Sequence, residues 1–230
     1  MRVAVIPARG GSKRIPRKNI KLFAGKPMIV WSIEAALASR CFDQVIVSTD
    51  DAEIAEIAKA AGASVPFMRP EALSGDHTAT IPVIAHAIEW IQTEGWSLQD
   101  VCCIYATAPF IRPEDIAEGA ALVQQPGIDY AFSVTAYTFP IQRAIKLNAA
   151  GRVEMFQPDH FATRSQDLEE AWHDAGQFYW GRVDAWLSNR PIFSDKAVPV
   201  ILPSYRVQDI DTMDDWQRAE WLFQINAREA

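Results

Sequence analysis

The first half of the chain alternates short apolar runs with segments of helical periodicity, and this alternation restricts the fold more than any other feature of the sequence. Val3–Pro7 reads as a strand, and Met28–Ala38 as a helix whose Ile29, Trp31, Ile33, Ala36 and Leu37 form a broad apolar face. Gln44–Ser48 is a strand of Val and Ile. The stretch TDDAEIAEIAKAAGA reads as a helix capped by Thr49 or Asp50 and closed by Gly62. Ala63–Pro66 is a short strand, and Thr80–Gln92 is a helix with Ile84, Ile88 and Ile91 on one side. Val101–Ala106 is a further strand, followed by a helix that Pro113 suits at its first turn. This order predicts an α/β fold, a doubly wound, mostly parallel sheet covered on both faces. Ligands of such sheets sit at the carboxyl ends of the strands. Four loops would then share one rim: Ala8–Asn19, Ser48–Asp50, Arg69–Thr80 and Thr107–Arg112.

The second half has a different texture. Tyr130–Tyr137 and Ala144–Leu147 read as strands, with a turn in LNAAGRVE between Leu147 and Val153. Gln157–Gly176 is polar and weakly periodic. QFYWG and VPVILP resume strand character, and Asp214–Ala227 closes the chain as a helix. Without repeats or linkers, the 230 residues suit one domain, residues 1–230, with an inserted β-rich arm at about 130–160 that could serve a dimer. A net charge of -7 argues against a nucleic-acid or membrane-surface partner, and no run approaches the ~20 apolar residues of a membrane span. Cys41, Cys102 and Cys103 lack metal spacing and read as free thiols, the adjacent pair pointing to opposite faces of a strand. The short apolar start runs into a charged loop rather than a cleavage site, so a cytoplasmic protein is expected.

Against this acidity, PARGGSKRIPRKN crowds Arg9, Lys13, Arg14, Arg17 and Lys18 into the first loop. Gly10 and Gly11 allow backbone to approach a ligand, and successive amides can form an anion-binding nest. Arg9 and Lys13 can neutralise phosphate, and Ser12 offers a hydroxyl. The loop matches neither G-x-x-x-x-G-K-[ST] nor G-x-G-x-x-G. In QDIDT, Asp209 and Asp211 project to one side of an extended segment, and their hard oxygens suit Mg²⁺.

IPARGGSKRIPRKNI resembles the signature loop of the cytidylyltransferases that activate acidic sugars, the CMP-sialic acid synthetase family. VSTDD (Val47–Asp51), Arg69–Pro70 ahead of Asp76, RSQDL (Arg164–Leu168) and DIDT (Asp209–Thr212) follow in family order. YATAPF (Tyr105–Phe110) and HDAGQFYWG (His173–Gly181) look most like the pseudaminic acid branch. The resemblance implies a Rossmann-like nucleotidyltransferase fold and a homodimer. It also implies Mg²⁺-dependent transfer of CMP from CTP to a nonulosonic acid, with release of pyrophosphate, for bacterial surface or flagellin glycosylation. Arg9, Lys13 and Asp211 would be catalytic. Arg9, Ser12, Lys13 and Lys18 would face the triphosphate, with Asn19 close by. Gly10 and Gly11 would give backbone donors, Ala8 and Arg9 backbone groups would read cytosine, and Arg69 would lie near base or ribose.

On the sugar side, the resemblance implies Thr80 between nucleotide and sugar, Arg164 on the sugar carboxylate, and Gln177 with Tyr179 reading substituents. Tyr105 stands where sialic acid synthetases usually carry glutamine, which favours a different sugar. Gln142 or Arg143 would reach across a dimer, and Asp209 with Asp211 would hold the metal. N-acetylneuraminate, legionaminate or Kdo are alternative substrates; a sugar 1-phosphate enzyme or a non-catalytic nucleotide sensor are broader rivals. Of the remaining residues, His86 reads as a satisfied core histidine, His77 as a rim residue, and His173 as a neighbour of the sugar. Trp90, Trp216 and Trp221 read as packing, and Asp50 as a helix cap.

Overall fold

The computed structural model describes residues 1–76 and 78–226. In chain order the elements are β1 (Arg2–Pro7), β2 (Leu22–Phe23), β3 (Lys26–Pro27), α1 (Met28–Ser39), β4 (Gln44–Ser48), α2 (Ala52–Ala60) and α3 (Thr80–Thr93). Then come β5 (Asp100–Ile104), α4 (Pro113–Leu122), β6 (Tyr130–Ala136), β7 (Ile145–Leu147) and β8 (Val153–Met155). β9 (Trp172–Arg182), α5 (Val183–Leu187), β10 (Ala197–Ile201) and α6 (Met213–Asn226) complete the fold. Six strands form one sheet in the order β10-β6-β9-β5-β1-β4. β9 runs antiparallel to both of its neighbours, and the remaining pairings are parallel.

Continuous apolar strands result from burial on both faces. Ala4 and Ile6 of β1 meet Ile29, Ile33, Ile116 and Trp180 on the side of α1, α2 and α4. Val3 and Val5 point the other way, to Ile84, Ile88, Ile91 and Trp186 beneath α3 and α5. Cys102 and Cys103 divide between these two cores as strand alternation predicts, and both are free and buried. A third cluster joins Ile15 of the rim loop to Phe23, Phe110, Ile210 and Trp216. It seats α6 and fixes both the first loop and the segment ahead of α6.

Several local expectations change. α2 is capped by Asp51, whose side chain accepts from the Ile54 N–H, while Thr49 Oγ1 accepts from the Asp51 N–H. Asp50 is therefore free for another task. Ala63–Pro66 forms only an isolated bridge, Ile46 to Ser64, rather than a strand. β9 begins at Trp172, inside the segment that reads as irregular. Trp216 is buried, but Trp221 is exposed, because five residues rotate about 140° around a helix. His86 packs edge-on against Phe67 with its Nδ1 buried and lacking a partner among the described residues, so it is not satisfied. No described helix is long and apolar enough to cross a membrane.

Tyr130–Ala136 is a buried sheet strand, so the chain leaves the sheet only at residue 137, later than expected, and returns at 172. Between these points lies the β7–β8 hairpin, closed by Asn148, whose Oδ1 accepts from the Ala150 and Arg152 amides. Phe139, Leu147, Val153, Phe156 and Phe161 are 62% to 81% exposed here. Such a density of exposed large apolar side chains is unusual for a surface without a partner.

Candidate active site

A cleft of about 460 Å³ opens at the carboxyl ends of the parallel strands, where the sequence puts a ligand. Arg9, Ser12, Lys13, Lys18 and Asn19 line it from the first loop, Arg69 and Thr80 from the segment after β4, Tyr105 from the end of β5, and Asp211 from ahead of α6. The loop is held from beneath. Ala8 N–H donates to the Ser48 carbonyl, Asn19 Nδ2 donates to the Arg9 carbonyl, and Ile15 is sunk in the third core cluster.

Asp50 is the hub under this loop. Its Oδ1 accepts from the Gly10 N–H at 3.0 Å and stands 3.7 Å from Arg69 Nη2. The expected backbone donor at Gly10 is thus spent within the protein, which corrects the anion-nest reading at that position. Glycine is needed there for another reason: a Cβ would come within 2.5 Å of Asp51 Oδ2. Neither Gly10 nor Gly11 lines the cleft.

Each loop cation meets a carboxylate from elsewhere in the chain. Arg9 Nη1 donates to Asp76 Oδ1 at 2.8 Å, and Lys13 contacts the other oxygen of the same carboxylate. Lys13, first, and then Arg9 hold the Asp76 carboxyl below its ordinary range. Arg14 and Lys18 approach Asp211 at 2.9 and 3.3 Å, and Lys18 also donates to the Ile210 carbonyl. Arg17 faces away from the cleft, bound to Asp51 and Glu53. The paired cations surround a site that an anion of higher charge density can take over.

Arg69 differs from them. It is buried, its desolvation lowers its pKa, and its Nε and Nη2 lack hydrogen-bond partners among the described residues. Unspent guanidinium donors at a cleft wall call for a polar or anionic acceptor. Asp209 lies two residues before Asp211, and its carboxyl is pushed up by partial desolvation and then by the Asp211 charge. No group of three or more His, Cys, Asp or Glu gathers as a metal cage among the described residues. Two neighbouring carboxylates still fit Mg²⁺, which commonly takes one or two protein carboxylates together with substrate phosphates.

The other expected sugar-side residues are not in this cleft. Arg164 sits on the arm in a two-point pair with Asp167, most of its side chain exposed. Gln142 Nε2 donates to the Glu169 carbonyl, and Arg143 lies by Ser165, both on the same arm. Gln177 is buried, giving its Nε2 hydrogen bond to the Arg206 carbonyl. Tyr179 stands behind Tyr105, with ring centroids 5.3 Å apart, and does not face the open space. His173 packs against Tyr137 at the root of the arm, and His77 lies outside the described residues. Asp76 was missed as a site residue because its partners Arg9 and Lys13 lie more than 60 positions away. No local pattern signals such a pair.

The family model for cytidylyltransferase matches residues 3–219. The pseudaminic acid cytidylyltransferase of Campylobacter jejuni is 44% identical over 99% of this chain and 98% of its own length. A CMP-N,N'-diacetyllegionaminic acid synthase of Legionella pneumophila is 33% identical, covering 97% of each chain. Among solved structures, a CMP:2-keto-3-deoxy-manno-octonic acid synthetase complexed with CTP superposes with a TM-score of 0.72 at 20% identity, covering 100% of this chain and 99% of that one. This last likeness speaks for the fold.

Proposed function

This chain belongs to the cytidylyltransferase family, and we propose that it transfers CMP from CTP to the anomeric hydroxyl of pseudaminic acid, releasing pyrophosphate. The observation that carries the reading is the cleft where Arg9, Lys13, Lys18 and Arg69 converge at the carboxyl rim of the sheet. The full-length identity to the Campylobacter jejuni relative supports the choice of sugar. The product would feed a bacterial surface-glycan or flagellin glycosylation step in the cytoplasm.

Arg9 and Lys13 exchange Asp76 for the triphosphate, and their charge stabilises the oxygens of the leaving pyrophosphate. Ser12 and Lys18 orient the α-phosphate for in-line attack, and Arg69 gives its free donors to the nucleoside side. Asp209 and Asp211 would hold Mg²⁺, which supplies further charge neutralisation at the phosphates. Tyr105 and Thr80 form the wall toward the sugar. Gln142, Arg143 and Arg164 lie on the arm, and we assign them to the cleft of a second copy, with Arg164 receiving the sugar carboxylate. The exposed apolar side chains of the arm supply a surface for that homodimer.

Pyrophosphate release from CTP and Mg²⁺, measured in parallel with pseudaminic and N-acetylneuraminic acid, tests the proposal. Release with pseudaminic acid alone is expected. Release only with N-acetylneuraminic acid would keep the reaction and overturn the sugar.

A further inference from the structure

Asp209 and Asp211, the carboxylates that would hold Mg²⁺, stand on a stretch with little support of its own. Among the described residues, Gln208 to Asp211 make no backbone–backbone hydrogen bond. The path of this stretch is therefore set by what holds it at its ends and middle. Downstream, Thr212 and Asp215 cap each other at the start of α6: the Thr212 N–H donates to Asp215 Oδ2 at 2.9 Å, and the Asp215 N–H donates to Thr212 Oγ1 at 3.2 Å. In the middle, Ile210 is sunk in the third core cluster, and its carbonyl accepts from Lys18 Nζ at 2.6 Å.

The upstream hold is Arg206. Its guanidinium is buried and donates twice to Asp115 in the first turn of α4, Nη1 to Oδ2 at 2.8 Å and Nη2 to Oδ1 at 3.0 Å. Two parallel bonds fix the plane of the fork as well as its distance. The Arg206 carbonyl accepts from Gln177 Nε2 at 2.7 Å, and Gln177 is buried too. Gln177 sits at a bulge, where the register of β9 against β6 jumps from Tyr179 opposite Phe132 to Asp174 opposite Val134. Ser133 Oγ accepts there from the Gln177 and Phe178 amides, both at 3.3 Å, and a bulge of this kind re-aims the side chains on it. The Gln177 carbonyl also accepts from the Tyr105 N–H at 2.9 Å, so one residue braces the Tyr105 wall and the aspartate stretch together.

We propose that Arg206 is a positioning residue for metal binding: locked by Asp115 and Gln177, it sets the path that brings Asp209 and Asp211 together at the cleft. Arg206 does not line the cleft, so it acts through the chain it holds. Asp209 follows three residues later, a reach of at most about 10 Å, and no backbone bond from Gln208 onward takes up a shift of Arg206. A lysine at 206 keeps the charge but replaces the rigid fork by a single flexible ammonium, so the plane of the anchor is lost. An asparagine at 115 keeps the shape of the acceptor and removes its charge. Either change loosens the same anchor from one side.

This inference rests on the reading of Asp209 and Asp211 as metal ligands and is tested with the intact protein. Mn²⁺, a paramagnetic ion that takes the same oxygen ligands as Mg²⁺, is titrated with CTP present and no sugar acid, so that nothing turns over. Water-proton relaxation enhancement then separates Mn²⁺ held on the protein from Mn²⁺ on free CTP. Arg206→Lys is expected to weaken Mn²⁺ binding about tenfold, as loss of a group that orients metal ligands does. Asp115→Asn should act in the same direction, and the double variant should be no worse than the larger single effect. Asp129→Asn is the control for a merely structural loss: it breaks the pair with Arg190 at the opposite edge of the sheet, so it should lower the melting temperature and leave Mn²⁺ affinity unchanged. Wild-type affinity in Arg206→Lys, additive effects, or equal weakening by Asp129→Asn would overturn the assignment. If Arg206→Lys does not fold, Asp115→Asn carries the test. Weakening by Asp211→Asn but not by Arg206→Lys or Asp115→Asn sinks this inference alone. Equal Mn²⁺ binding by wild type and Asp211→Asn sinks the metal reading and this inference with it.

Discussion

In the rim loop, Arg9 finds Asp76 across 67 positions and Lys18 finds Asp211 across 193. On the arm, Arg164 finds Asp167 three residues on, and Lys146 meets Glu154 directly across the β7–β8 hairpin. The first set of pairs exists only when the whole domain is folded, so the loop is ordered by the same packing that orders the core. The second set would form on any local hairpin and says little about the rest of the chain. The apolar side chains tell the same story: Ile15 anchors the loop in a core cluster, whereas Phe139 and Phe161 on the arm face solvent. One region is finished within a single chain, and the other leaves large apolar side chains that the rest of that chain does not cover.

The largest expected effect probes the rim. Lys13→Ala should lower turnover by about 10² to 10³, as loss of a preorganised charge at developing phosphate charge does. Because its side chain is 80% exposed, the melting temperature should move by no more than about 2 °C. Rates and a thermal melt on one preparation check both halves, and an unfolded variant would break the distinction. Next, mixing inactive Lys13→Ala with inactive Arg164→Ala should recover about a quarter of wild-type activity, if half the dimers are mixed and each has one intact site. No recovery would mean that the arm serves its own cleft. Phe161→Glu should shift the species seen by sedimentation toward monomer, and an unchanged profile would remove that face from the interface.

Smaller effects concern the floor of the loop. Gly10→Ala should cost about 1 to 3 kcal/mol in urea unfolding, because its Cβ meets Asp51. Asp51→Asn keeps a cap but removes the charge pairing with Arg17, which should cost less than about 1 kcal/mol. Arg17 is the main cause holding the Asp51 carboxyl below its ordinary value. Its contribution is therefore complete above the unfolded carboxylate range, about 3.9, and is lost as pH falls through the lower folded value. The gap between wild type and variant should stay level from neutral pH down to about pH 5 and close below that.

What the sequence made legible follows from which forces are local. Strands buried on both faces must be continuously apolar, so β1, β4 and β5 are plain in the residues. The cationic loop and Asp211 are readable because like residues are contiguous or evenly spaced. Whether Asp50 or Asp51 caps α2 is not, since either carboxylate can reach the first turn and the choice depends on where Gly10 and Arg69 end up. The early start of β9 is hidden because His173, Asp174 and Gly176 break the apolar alternation at the bulge. Tyr179 reads from the sequence as a substrate contact, whereas the structure sets it behind Tyr105 and off the cleft lining, since its place depends on Tyr105 arriving from another strand.

The reversed direction of β9 has a consequence for how such a molecule can acquire a new part. In a wholly parallel sheet, chain entering a strand does so at the edge opposite the ligand, a distance of about 17 Å for a five-residue strand. β9 instead enters at the ligand edge, directly opposite the last residue of β6, Ala136 against Trp172. Everything inserted between those two residues must therefore hang beside the mouth of the cleft, whatever its sequence. Successive generations could lengthen, shorten or redecorate that insertion without threading it across the body. A single inverted strand turns the doorway into the natural place to build.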